Sequence, residues 1–265
     1  MKNLAKLILA TSLAVALSLI GGKRAGAEAS FGPPASPPQL RNAERRGRQF
    51  LGLPVAAQAA VSDTLGREDA RYQVTANGVL QVRDPAEPLR AAFAPQGIRV
   101  ESGGGQWRLA FRGWGYGDRL TQGREVKPRH YANRVEYQRG SLVEWYVNGP
   151  AGLEQGFTIS ARPSGGVGNP KLRASHSSPL TIALAIRGNL TAVAGSPGKD
   201  VGRVKDLTLR DANGHTVLRY TGLNAQDASG RELPAWMELD GQNLLLRVDA
   251  AGARYPVVID PMIEV

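Results

Sequence analysis

Apolar residues at every second position, in run after run, constrain this chain more than any other feature. Trp107, Leu109 and Phe111 alternate with Arg108, Ala110 and Arg112. Val143, Trp145 and Val147 alternate with Glu144 and Tyr146, and Leu180, Ile182, Leu184 and Ile186 with Thr181, Ala183 and Ala185. A strand turns successive side chains to opposite faces, so each run sends one set into a core and the other toward water or a second layer. Between the runs stand turn signals that tolerate positive φ: Asn77-Gly78, Asn148-Gly149, Asn213-Gly214, Ser229-Gly230 and Asp240-Gly241. Over the last sixty or so residues, strand and turn alternate at roughly 10-residue spacing, the rhythm of an antiparallel sandwich or meander. Residues 54–66, PVAAQAAVSDTLG, are predicted as one short helix, opened by Pro54, carried by alanines and ended by Gly66. The fold class is all-β: one or more antiparallel sandwiches or a meander, with one short N-terminal helix. Val143, Trp145 and Val147 are expected to face inward and Glu144 to lie on a solvated face, with Asn148-Gly149-Pro150 as the turn.

The two ends of the alternating region are of different character. Residues 1–27 read as a signal peptide: Lys2 and Lys6, then the apolar run LILATSLAVALSLI, then small residues at Ala25-Gly26-Ala27. That apolar run is short for a membrane span, which takes about 20 residues. Cleavage after Ala27 lowers the formal charge from +10 to +6, so much of the apparent basicity belongs to the leader. Residues 28–53 form a Pro/Arg-rich linker, with Pro33, Pro34, Pro37 and Pro38 followed by Arg41, Arg45, Arg46 and Arg48. Residues 54–160 are an N-terminal β half with its lead helix, 161–179 a Gly/Pro/Ser-rich loop and 180–265 a C-terminal β half. The same loop is equally compatible with an insertion in a single sandwich. The expected location is outside the cytoplasm, whether secreted, on the cell surface or in the periplasm, with no membrane span after signal cleavage.

Few residues carry recognisable chemistry. There is no cysteine, which removes disulfides, thiolate metal sites and a cysteine nucleophile. His130, His176 and His215 lie in three separate segments, so no metal site and no cofactor are expected. Gly103-Gly104-Gly105 precedes a strand and lacks the lysine and helix start of a phosphate cradle. Glu136, Glu144 and Glu154 come nearest to a paired-carboxylate arrangement, but any two strand glutamates can face one another, and no catalytic residue is assigned. GWGYGD at 113–118 spaces two rings with glycines. Trp114 and Tyr116, with Arg112 and Arg119 beside them, are the candidate ligand contacts, for a sugar stacked on exposed rings or a polyanion held by converging arginines. That second arrangement would also enlist Arg108 and Arg124. Nucleic acid is not an expected partner, because the basic residues are scattered and the mature charge is modest.

The stretch NRVEYQRGSLVEWYVNGPAGLEQGFTI, residues 133–159, and the closing segments GRELPAWMEL and LLLRVDAAGARYPVVIDP are distinctive. Together they resemble a β module of large exported bacterial proteins, where it precedes FG-GAP (integrin-α-like) propeller repeats. The resemblance covers roughly residues 54–262 and brings no catalytic residues with it. This sequence carries no such repeats and no Asp-rich calcium loop, so the expectation is either a stand-alone version or the remnant of a longer, truncated FG-GAP protein. The resemblance implies a non-catalytic structural or interaction module of the bacterial cell envelope, adhesin-like, with an envelope polysaccharide or a protein as partner. The alternative is a carbohydrate- or polyanion-binding module.

Overall fold

The computed structural model describes residues 55–163, 178–195 and 202–265. The signal peptide, the linker and most of the 161–179 loop predicted from the sequence lie outside them. The described chain begins with helix α1 (Val55–Glu68) and a 3-10 turn (Ala70–Tyr72). Then come β1 (Thr75–Asn77), β2 (Val79–Arg83), β3 (Arg90–Ala94), β4 (Gly97–Ser102), β5 (Gly105–Tyr116), β6 (Arg119–Gln122), β7 (Arg129–Tyr131), β8 (Arg134–Arg139), β9 (Leu142–Gly149) and β10 (Gly152–Ile159). They are followed by β11 (Leu180–Gly188), β12 (Thr191–Ala194), β13 (Leu207–Arg210), β14 (Thr216–Gln226), β15 (Ala235–Asp240), β16 (Asn243–Val248) and β17 (Val257–Glu264). All the pairings are antiparallel, as expected of an all-β chain with one short leading helix.

Two sheets form. Sheet A runs β1-β2-β3-β4-β5-β11-β16-β15, with β6 also on β5, and sheet B runs β12-β13-β14-β17-β10-β9-β8-β7. The two β halves read from the sequence are therefore interleaved: β11, β15 and β16 complete the sheet begun by β1–β6, while β7–β10 join β12–β14 and β17. One buried apolar cluster draws on both, including Phe93, Val100, Trp107 and Leu246 from sheet A and Leu142, Phe157, Tyr220 and Ile259 from sheet B. Edge-to-face ring pairs bridge the layers, Phe93 to Tyr146 at 5.2 Å and Trp107 to Tyr220 at 5.4 Å between centroids.

Three local expectations are corrected. First, α1 does not stop at Gly66 but runs to Glu68. Gly66 is there for approach: a Cβ on it would lie 2.3 Å from the Asn148 carbonyl oxygen and 3.1 Å from the Gly149 Cα. A Cβ on Gly149 would in turn meet Ser62 Oγ, so the helix lies directly on the end of β9. Secondly, Asn148 and Gly149 still belong to the ladder, opposite Leu153 and Gly152, and the reversal is made at Pro150-Ala151. Pro150 is where a residue without an N–H belongs. Thirdly, the inward set of β9 is Leu142, Glu144, Tyr146 and Asn148, because these face Ile159, Phe157, Gln155 and Leu153 across the pair. Val143, Trp145 and Val147 lie on the outer face. Trp145 covers Gly156 there, where a Cβ would strike its ring, and its indole donates to Thr158 Oγ1 at 3.1 Å.

Pro261 leaves a mark of its own. The β14–β17 register shifts between Thr221 and Asn224, opposite Met262 and Asp260, and the β10–β17 pairing skips the same stretch. A residue that cannot donate to a ladder is tolerated at such an irregularity.

Candidate functional site

Inside the sandwich, five polar side chains form a continuous chain. Tyr220 on β14 donates to Gln155 Oε1 at 2.7 Å, and Gln155 Nε2 donates to the Tyr146 hydroxyl at 2.8 Å. Tyr146 donates to Glu144 Oε1 at 2.8 Å, and the other carboxylate oxygen takes the Arg139 guanidinium at 2.9 Å. Each link points toward Glu144, so the donors polarise one another in the same sense. Arg139 is also held by the Arg124 carbonyl and lies 4.4 Å from the Phe111 ring centroid. Burial, then the Glu144 charge, pushes the Tyr146 phenol well above its ordinary pKa, and burial does the same for Tyr220, so both stay protonated donors. Glu144 is thus a core residue, not a solvated one. Glu136 faces Trp145 across β8–β9 and so points to the opposite side of the sheet from Glu144. The glutamates considered together from the sequence do not converge.

Glu154 finds a different partner, Asp260 on β17, on the outer face of sheet B. The two share a hydrogen bond. Burial, then the Asp260 charge, holds Glu154 well above the usual carboxylate range. Burial pushes Asp260 up to about 6 from 3.8. Both folded values exceed the unfolded ones, so the native state keeps protons that the unfolded chain has released. Stability contributed here is therefore expected to fall as pH rises from about 4 through about 6 and beyond. Urea-denaturation midpoints measured across that range should fall less steeply for Glu154→Gln. An equally steep fall would place the source elsewhere.

Where α1 meets the sheet, Asn133 Nδ2 donates to the Asn148 carbonyl and to Asp63, while Asn148 Nδ2 donates to the carbonyls of Tyr72 and Arg83. These bonds tie the helix, the 3-10 turn and β2 to the β8–β9 pair.

The sequence-predicted contacts are placed as follows. β5 carries a bulge at Arg112, where its register with β11 shifts. The bulge keeps Phe111, Trp114 and Tyr116 on one face, opposite Leu184, Ile182 and Leu180, which are all buried. Trp114 and Tyr116 therefore turn inward and pack half-buried against the core, with the Tyr116 hydroxyl 3.2 Å from that of Tyr255. Gly113 and Gly115 face the other way, where β6 carbonyls come within 2.4 and 2.1 Å of a hypothetical Cβ. Arg112 and Arg119 are exposed, Arg119 opposite Tyr116 on β6. The rings do not form a surface stacking platform. His130 and His215 are far apart in sequence and both exposed, His176 lies outside the described residues, and no group of three or more His, Asp or Glu able to hold a metal occurs among the described residues.

The register assembles a different group of arginines. Arg99, Arg108 and Arg187 are directly opposite one another on β4, β5 and β11, and all three are exposed. In the next row Arg83 faces Arg90, which faces Glu101. The outer face of this half of sheet A thus presents five arginines and one glutamate. Glu101 pairs with Arg99 at 3.2 Å, and Arg108 Nε donates to Gln106 at 3.0 Å. Like charges opposite one another on neighbouring strands oppose pairing, so the row persists against its own electrostatics.

Fold and surface together define a two-sheet antiparallel sandwich with a helix on one outer face and an arginine-rich opposite face. Compared with protein-family models, with curated proteins and with solved structures, the chain has no match. Among the described residues no helix is long and apolar enough to cross a membrane.

Proposed function

We propose that the chain is a non-catalytic, exported interaction module of the bacterial cell envelope, of the kind that precedes FG-GAP propellers in adhesin-like proteins. What supports the reading is a division between faces. The five interior polar side chains from Tyr220 to Arg139 are bonded to one another. The outer face of sheet A holds exposed cations set against like charge. An exposed face of that kind suits the recognition of a partner. The purified mature chain, residues 28–265, should be retained saturably by a bacterial envelope fraction and released by salt, with no new reducing ends or other hydrolysis products. Product formation that rises with time would overturn the reading, and so would retention no greater than that of an unrelated protein of equal charge.

A further inference from the structure

We propose that the outer face of sheet A around Arg99, Arg108 and Arg187 binds a linear carboxylated polysaccharide laid across the strands. The inference rests on the reading of the chain as an interaction module and names the ligand of its open face. Neighbouring strands are roughly 4.8 Å apart, so the row offers a guanidinium at each such step. A polymer with one carboxylate per sugar residue supplies anions at a comparable repeat. A guanidinium takes a carboxylate through two parallel N–H donors. Apart from one contact each to Glu101, Gln106 and the Ile186 carbonyl, the donors of Arg99, Arg108 and Arg187 point to an exposed face.

The floor beside the row suits a flat polymer. Ala92 lies opposite Arg99, and Ala94, Gly97 and Ala110 line the neighbouring positions on one side, so the row is open on that side, while Arg90, Glu101 and Gln106 border it on the other. No aromatic ring lies at the outward positions of β2, β3, β4 or β11 among the described residues, and the rings of β5 are turned inward. Single-stranded nucleic acid is held by rings stacked on bases as well as by cations; the outward ring of sheet A, Trp236, is on β15, two strands beyond β11, and the strands that carry the row lack that half of the arrangement. The row also has a cost without a ligand, because like charges face each other across two strand pairs. An anion between them removes that cost, which couples binding to stability.

The test is affinity electrophoresis or calorimetry of the mature chain with polygalacturonate, with neutral dextran and single-stranded DNA as comparators. The wild type is expected to bind polygalacturonate and not dextran, more weakly at higher salt. The triple variant R99Q/R108Q/R187Q should lose about 10- to 100-fold in affinity. It should also melt at a higher temperature than the wild type without polymer, which shows that it folds. R129Q/R210Q/R219Q removes the same charge from exposed positions on sheet B and should bind within about twofold of wild type. Equal loss in both triple variants would reduce the effect to net charge and overturn the proposal. So would tighter binding of DNA than of polygalacturonate, or no binding of polygalacturonate by the wild type. If envelope retention persists while polygalacturonate fails, this ligand assignment falls alone and the interaction-module reading stands.

Discussion

Glu144→Ala is expected to destabilise the fold by about 3–5 kcal/mol, the cost of leaving a buried cation without its counter-ion. Glu144 is 2% exposed and the Arg139 side chain 7%, so the guanidinium stranded by the change has little access to water. The loss extends past the ion pair. Tyr146 would have no acceptor for its hydroxyl, and Gln155 would lose the anchored end of its chain to Tyr220. Against a total stability of about 5–15 kcal/mol for an ordinary domain, such a change removes a large fraction. Replacing both partners with apolar residues, Arg139→Met with Glu144→Leu, should cost less than Glu144→Ala alone, because no buried charge remains. Urea-denaturation curves for the two variants and the wild type measure both statements. A loss under about 1 kcal/mol for Glu144→Ala, the range of an exposed pair, would mean that the carboxylate is solvated after all.

Gly66→Ala is expected to carry the opposite sign from a usual helix substitution. An exposed helical glycine gains roughly 0.5–1 kcal/mol on becoming alanine. Here the new Cβ would lie 2.3 Å from the Asn148 carbonyl oxygen and 2.8 Å from Asn133 Nδ2. The carbonyl belongs to backbone, which cannot rotate aside as a side chain can. Helix α1 would have to lift from β9, breaking the bonds from Asn133 to Asp63 and from the Ala151 N–H to Ser62 Oγ. Overpacking of this kind costs about 1–3 kcal/mol, more than the helical gain. Thermal midpoints decide it, with Thr64→Ala on the exposed side of the same helix as a control close to neutral. A Gly66→Ala variant more stable than its parent would mean that the helix does not rest on that carbonyl.

The strand rhythm was legible because period-two patterning and X-Gly turns are local properties, and the structure follows them closely along β5, β11 and β13–β17. Which face of β9 points inward was not legible. Both of its faces are buried, one by sheet A and one by α1 and the Trp145–Gly156 packing, so alternation in VEWYV gives no sign. Glu144 looked solvated because its counter-charge, Arg139, sits on another strand and meets it through a pairing that sequence does not specify. The rings of GWGYG looked presentable because glycine reads as openness, whereas Gly113 and Gly115 make room for the β6 backbone. The arginine row is not legible in the sequence for a similar reason. Its members come from IRV, WRL and AIR, three unremarkable runs that only the register sets side by side.

The position of β17 has a consequence for how the molecule comes into being. Val257–Glu264 lies between β14 and β10, so sheet B cannot close until β17 has left the ribosome. A nascent polypeptide of this topology keeps β10 and β14 apart until β17 emerges, since that strand makes the pairing that joins its earlier and later parts.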